Sequence, residues 1–452
     1  MMRFGVMMMC VYLVAGGAFG QGDARVVPEE RDARFDGVMA VLVAKLQTCD
    51  GDNYESVIES IEAQIREGYY LNYQDPDGMT LLMHASRLPA THEIVWWLIT
   101  KKQVNRDLRD RNGMLAMHHA AYNPDPKVGA RVFGHFLYWR DDPNLRDGSG
   151  RDIVMHTIIA NQSSRMVFLA IDATDEDLNR LDDHGHSAVS YAAMNNHHFR
   201  IWELLVEHGA DLSKTYTKDQ LTPLHLAARE NMAEVAGAII REGAEIDARD
   251  VRGMTPLMWA LLQNKDPLMP KYLLQGGADA KTRNDQGASV LHAASFGGQN
   301  ASVFQQLIDA GATMDDPTDS ALPTPAMLYA QFGQDPGVWA IFADQGMSLR
   351  YKGEQGSPLI MSALTYKKDI AFIRAMLDAG CDVNAVYTPF NTTALMMACK
   401  DGSAELVELM LDHGADATIV DVAGNTALDA ALKNPRLEGR GVVERVRLLV
   451  GG

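Results

Sequence analysis

The chain has 452 residues, with 41 Lys and Arg against 59 Asp and Glu, a formal charge of −18. Its 47% hydrophobic and 22% charged content is that of a folded protein rather than a disordered one, and four cysteines cannot make a disulfide scaffold. The acidic balance argues against nucleic acid or anionic lipid as the main partner, because both are held by clustered Lys and Arg.

The first twenty residues read as a targeting segment. Arg3 is the only charge before Gln21, an apolar run follows from Phe4 to Phe19, and Ala18-Phe19-Gly20 places small side chains at the −3 and −1 positions of a cleavage site. The expectation is a secretory signal over 1–20 and an exported protein, periplasmic or extracellular. The alternative is an uncleaved anchor, although the run is short for a span of about 20 residues and carries Gly5, Gly16 and Gly17. No later stretch is long and uncharged enough to span a bilayer, so no membrane role is expected beyond export. Residues 21–34 then form a linker. Residues 35–74 hold two helical segments, Phe35 to Leu46 and Ile58 to Asn72, that read as an N-terminal capping pair.

From there a repeat organises the chain. A short polar turn leads to Thr or Ser and then to an apolar helix opening, most clearly in Thr222-Pro223-Leu224-His225-Leu226-Ala227-Ala228. Copies start at Thr80, Leu115, Asp152, Ser187, Thr222, Thr255, Ser289, Thr324, Ser357, Thr393 and Thr426, spaced by 33–37 residues. That steadiness overrules the prior of about three domains that the length alone gives. Each copy has a second half, such as Leu204-Leu205-Val206-Glu207-His208-Gly209-Ala210-Asp211, which reads as an amphipathic second helix closed by Gly. Thr222 caps the first helix, Pro223 opens it where a missing N–H costs nothing, and the alanine pair lets helices approach. One such unit cannot bury its own apolar face, so stability is a nearest-neighbour property. Val442 to Val450 reads as the closing helix.

The pattern resembles the ankyrin repeat, whose T-P-L-H-x-A signature stands at Thr222 to Ala227 and whose L-L-x-x-G-A-D ending recurs. The resemblance implies an all-α solenoid of about eleven helix-turn-helix units over 75–432, with capping helices at 35–74 and 433–452. Some copies depart from it. Asp152 replaces Thr, Ala326 replaces Leu after Thr324, and the junction at Ser357 is one residue short. These are imperfectly packed units or bends. The 25 methionines follow the repeat rather than any site and read as core filler.

Motifs that carry chemistry are scarce. The sequence contains no phosphate-cradling G-x-x-x-x-G-K-[ST], no H-E-x-x-H and no C-x-x-C. Asp50 to Asn53 and Asp172 to Asp177 lack the Gly and Glu of a calcium loop and read as acidic turns. Cys49, Cys381 and Cys399 read as core residues, with a Cys381–Cys399 bridge as the alternative. His118, His225 and His292 occupy the signature position, where the resemblance implies structural hydrogen bonding. His184, His186, His197 and His198 gather in the fourth unit, which is the basis of a second reading, a metal-binding or enzymatic protein. Adjacent helical histidines point apart and no cysteine or carboxylate completes a set at helical spacing, so a polar contact surface is the preferred reading.

The resemblance implies a non-enzymatic scaffold that binds a protein partner of unknown identity through its concave face, with no cofactor or metal, as a monomer. The family's variable positions, carried across to units two and four to seven, give the candidate contacts Arg111, Asn112, Tyr122, His184, His186, Lys218, Arg229, Arg252, Met254 and Phe296. Exposed Tyr, Phe, Met and Arg are hot-spot types.

Overall fold

The structure is a computed structural model that describes residues 33–50, 52–102, 104–160, 163–175, 177–195, 199–230, 233–264, 266–314, 323–349 and 358–451. The expected signal segment and most of the linker lie outside these residues, as do His197, His198 and Ser357. Among the described residues there are 24 helices and one two-stranded hairpin, Val386–Tyr387 with Thr392–Thr393. The helices alternate as first and second members of a pair, the all-α ankyrin solenoid expected from the repeat. None is long and apolar enough to cross a membrane.

Eleven first helices begin where the repeat does. Pro223–Glu230, Pro256–Gln263, Val290–Phe296 and Ala394–Asp401 follow Thr222, Thr255, Ser289 and Thr393. The hydroxyl at the cap accepts a hydrogen bond from the third helical amide, as Thr255 Oγ1 does from Met258 at 3.4 Å and Thr393 Oγ1 from Met396 at 3.2 Å. Each such cap contributes about 1 kcal/mol. Second helices such as Phe199–Glu207 and Ala404–Asp412 end in a left-handed glycine, Gly209 at φ 90° and Gly414 at φ 81°, a conformation that a side chain at Cβ resists.

One apolar core runs the length of the stack. Leu224, Leu226, Leu257 and Leu291 are fully buried, and each contributes about 1.5–3 kcal/mol. Each first helix packs on its own second helix and on the first helix of the next unit. Ala227, Ala228, Ala260 and Ala294 are fully buried at those first-helix contacts. Packing thus runs from first helix to first helix and from second helix to second helix along the stack.

The departures resolve individually. Asp152 serves as the cap itself, its Oδ1 accepting from Met155 at 2.8 Å, and Ile153 to Ile158 are all buried, so this unit is packed. The unit opened by Thr324 builds an aromatic core: Tyr329, Trp339, Phe342 and Phe372 meet at centroid distances of 5.5–6.0 Å. Pro358, rather than Ser357, stands at the cap of Leu359–Thr365. The second capping helix runs Tyr54–Arg66 instead of reaching Asn72. Gly68, at φ 98°, turns the chain there, and the Tyr69 amide donates back to Gln64 O at 2.9 Å. The closing helix runs Gly441–Gly451. Cys49, Cys381 and Cys399 are buried free thiols, so the Cys381–Cys399 bridge is not formed.

Candidate functional site

The face made by the hairpin tips and first helices is organised in several units by an aspartate before the tip, a place that Asn284 takes in the seventh. Asp182 is the fullest case. Its Oδ1 accepts from the His184 and His186 amides, both at 2.9 Å. Its Oδ2 accepts from the Tyr191 hydroxyl at 2.6 Å and from Arg151 Nε at 3.3 Å. Burial alone would raise this carboxyl, but the bonds from Tyr191, the two amides and Arg151 outweigh it and hold it below the usual range. Asp110, Asp147 and Asp250 hold their tips in the same way.

The second oxygen of each aspartate latches a residue of the following first helix, nine positions on. The partner is His84 for Asp75, His119 for Asp110, Tyr191 for Asp182 and Trp259 for Asp250, at 2.6–3.1 Å, and His156 Nε2 lies 3.2 Å from Asp147 Oδ2 in the equivalent place. Neighbouring tips are joined by backbone bonds: Arg111 N donates to Asp77 O, Gly148 N to Asn112 O and Asp183 N to Ser149 O, at 2.8–3.0 Å. The tip backbone is thus committed within the fold, and its side chains are free to face outward.

All three signature histidines accept a hydrogen bond at the cap of their own helix, His292 from Ser289 N at 3.2 Å, and His118 and His225 also bridge to the next unit. Leu115 N donates to His118 Nδ1 at 3.1 Å, while His118 Nε2 donates to Leu145 O at 2.9 Å in the next unit. His225 repeats this with Thr222 N and Met254 O. One ring nitrogen must accept and the other donate, which only a neutral imidazole can do. Burial, with His156 close by, pushes His118 down to about 3, and burial lowers His225 as well.

The candidate contacts divide by place. Arg111, Asn112, His184, Lys218 and Arg252 are exposed at hairpin tips. Tyr122 is half-buried and its hydroxyl meets His156 Nδ1 at 3.0 Å. His186 is half-buried, with Nδ1 3.3 Å from Ser190 Oγ. Arg229 and Arg252 stand on the Trp259 ring, 5.5 and 5.1 Å from its centroid, a pair of cation–π contacts that fixes both guanidiniums. Phe296 is exposed at the end of its helix. Met254 corrects the expectation of an exposed side chain: it is buried, and its sulfur accepts from Asn284 Nδ2 at 3.3 Å beneath the next tip. Among the described residues, no three His, Cys, Asp or Glu side chains come together as a metal set.

Sequence reasoning passed over two further features. Phe332 and Tyr366 are exposed and continue the row that Phe296 begins. Beyond Tyr366, Lys367, Lys368, Lys400 and Arg436 line an open cleft of about 980 Å³ between the loops of the ninth to eleventh units.

A family model described as ankyrin repeats (3 copies) matches residues 154–250, 224–318 and 359–451, together more than half of the chain. The sequence is similar to Ankyrin repeat and SOCS box protein 16 of Homo sapiens, 30% identical over 224 residues, which covers 47% of this chain and 48% of that protein. The Mus musculus protein of the same name is 29% identical over 221 residues, with the same coverage. Putative palmitoyltransferase ZDHHC13 of Danio rerio is 33% identical over 210 residues, covering 46% of this chain and 31% of that protein. The chain spans about half or less of the length of these curated relatives. The solved human ASB11 ankyrin repeat domain aligns at 22% identity and a TM-score of 0.42, over 50% of this chain and 98% of that one.

Proposed function

The chain belongs to the ankyrin-repeat family, and from that premise we propose that it is a non-enzymatic, exported scaffold that binds a protein partner through the face made by its hairpin tips and first helices. The observation that carries the proposal is the committed backbone of the tips. Because the aspartates and the tip-to-tip bonds already hold Arg111, Asn112, His184 and Arg252 in place, binding orders little that is not ordered beforehand. Tyr122, Phe296 and the arginines on Trp259 are residue types that anchor protein interfaces.

Capture of partners on the immobilised full chain, quantified by mass spectrometry, tests the reading. The protein retained by the wild type should fall about tenfold or more with Arg111→Glu, Lys218→Glu and Arg252→Glu combined. Retention that no substitution on this face alters would defeat it. Export is tested separately: N-terminal sequencing should find a chain starting at or near Gln21 outside the cytoplasm, and intact Met1 on cytoplasmic protein would remove that part.

A further inference from the structure

Phe296, Phe332 and Tyr366 stand at the C-terminal ends of three successive first helices, Val290–Phe296, Pro325–Phe332 and Leu359–Thr365. They are 52%, 37% and 52% exposed. Their ring centroids lie 4.6 Å apart between Phe296 and Phe332 and 6.2 Å apart between Phe332 and Tyr366, so they form one strip rather than three scattered residues. A contiguous exposed aromatic strip marks an interaction surface.

The strip runs into cations. Lys367 follows Tyr366 directly, and the cleft beyond it is lined by Lys367, Lys368, Lys400 and Arg436 against Asp369 and Asp401. Asp369 is occupied at its helix N-terminus, its Oδ1 accepting from Phe372 N at 2.7 Å. Lys368 is held by Gly333 O and the Phe372 ring. Lys367 and Lys400 are exposed, and neither pairs with a carboxylate among the described residues. Arg436 donates to Asp401 O at 3.0 Å and remains exposed. In a chain of net charge −18, this is a local reversal of sign.

We propose that the strip and the cleft together dock an extended acidic peptide segment of the partner, an apolar or aromatic stretch lying on the rings and carboxylates lying over Lys367, Lys400 and Arg436. The proposal rests on the reading that this face binds protein, and it adds the chemistry of the bound segment. Charge decides between a peptide and a nucleic acid. Screening confines each charge to about 8 Å in physiological salt, so a short run of carboxylates meets chiefly the cations of the cleft. A long polyanion would extend over the acidic remainder of the chain and be repelled by it.

The test uses the full chain and fluorescence anisotropy. The probe is a short labelled peptide, aromatic and apolar at one end and rich in Glu at the other, beside a counterpart with Lys for Glu and a labelled single-stranded oligonucleotide. The Glu peptide should bind, and the combined Lys367→Glu and Lys400→Glu variant should weaken it about tenfold or more. Phe332→Ser should weaken it as well, and so should raising the ionic strength from about 0.05 to 0.3 M. Circular dichroism checks that each variant keeps its helix content. Equal binding of the Lys peptide, tighter binding of the oligonucleotide, or an affinity unmoved by the charge reversal would overturn the proposal. If it is overturned while tip substitutions still release the captured partner, only the acidic segment is wrong; a partner that no substitution on the whole face releases would take the scaffold reading with it.

Discussion

Replacing Asp182 with Ala tests the latch where it is most fully built. The substitution removes acceptors for four donors: the His184 and His186 amides at 2.9 Å, the Tyr191 hydroxyl at 2.6 Å and Arg151 Nε at 3.3 Å. The tip amides can turn to water, whereas the buried Tyr191 hydroxyl cannot easily do so. Orphaned buried groups cost about 1–3 kcal/mol each, so the local loss should be about 3 kcal/mol. Tyr191→Phe removes two bonds, the one donated to Asp182 and the one accepted from Arg151 Nε at 3.1 Å, without stranding a donor, because Arg151 still reaches Asp182, and should cost about 1–2 kcal/mol. In a stack stabilised by nearest neighbours, the damage should remain between the third and fifth units. Hydrogen exchange should show faster exchange for the amides of Asp182 to Tyr191 and their neighbours, with the end units unchanged, and urea melts should show an early local transition. A loss below about 1 kcal/mol, or uniform acceleration along the chain, would refute the assignment of tip rigidity to this carboxylate.

Acid should loosen the stack in steps. His118 and His292 are driven by burial to about 3 and about 4 from an ordinary value of 6.5, so the unfolded chain takes up the protons first, and stability present above pH 6.5 is lost as the pH falls toward those values. Asp147, held near 2 by His156 and the tip amides against the effect of burial, adds a loss of the same sign below the unfolded carboxyl value of 3.8; a melting temperature that is flat between pH 7 and pH 4 would contradict the neutral-imidazole caps. Burial pushes the Cys381 and Cys399 thiols up to about 12, so a thiol reagent should label them slowly until urea is added, and a Cys381–Cys399 peptide in non-reduced digests would count against the free-thiol structure. Trp339→Ala, at a fully buried ring meeting Tyr329, Phe342 and Phe372, should cost about 3–5 kcal/mol by urea denaturation. Trp339→Phe should cost clearly less, because it also removes an indole N–H that is buried without an acceptor among the described residues.

The spacing of Thr, Ser and Gly made the helix pairs legible, because caps and left-handed closures demand particular residues at particular places. Thr222 and Gly209 are such positions, and the structure uses both accordingly. Asp152 was harder to place, since a carboxylate caps as well as a hydroxyl does but does not match the signature. The nine-residue latch escaped the sequence because the residues at that place differ chemically, histidine in three units, tyrosine in one and tryptophan in another, and only geometry makes them equivalent. Met254 was misplaced because its burial comes from Asn284, thirty residues on, rather than from its own unit. The aromatic strip was missed for a related reason. Phe296, Phe332 and Tyr366 fall seven, eight and nine residues after the repeat starts at Ser289, Thr324 and Ser357, so no fixed register lines them up. Helices of different length bring the rings together all the same.

Among the described residues, the tip-to-tip bonds reach one unit in each direction. A gene duplication or deletion that adds or removes a whole unit would therefore remake the same kind of joint on either side of the change. Loss of half a unit would leave an unmatched apolar row and a broken joint. The architecture can therefore change its length in whole-unit steps while every remaining joint keeps its form.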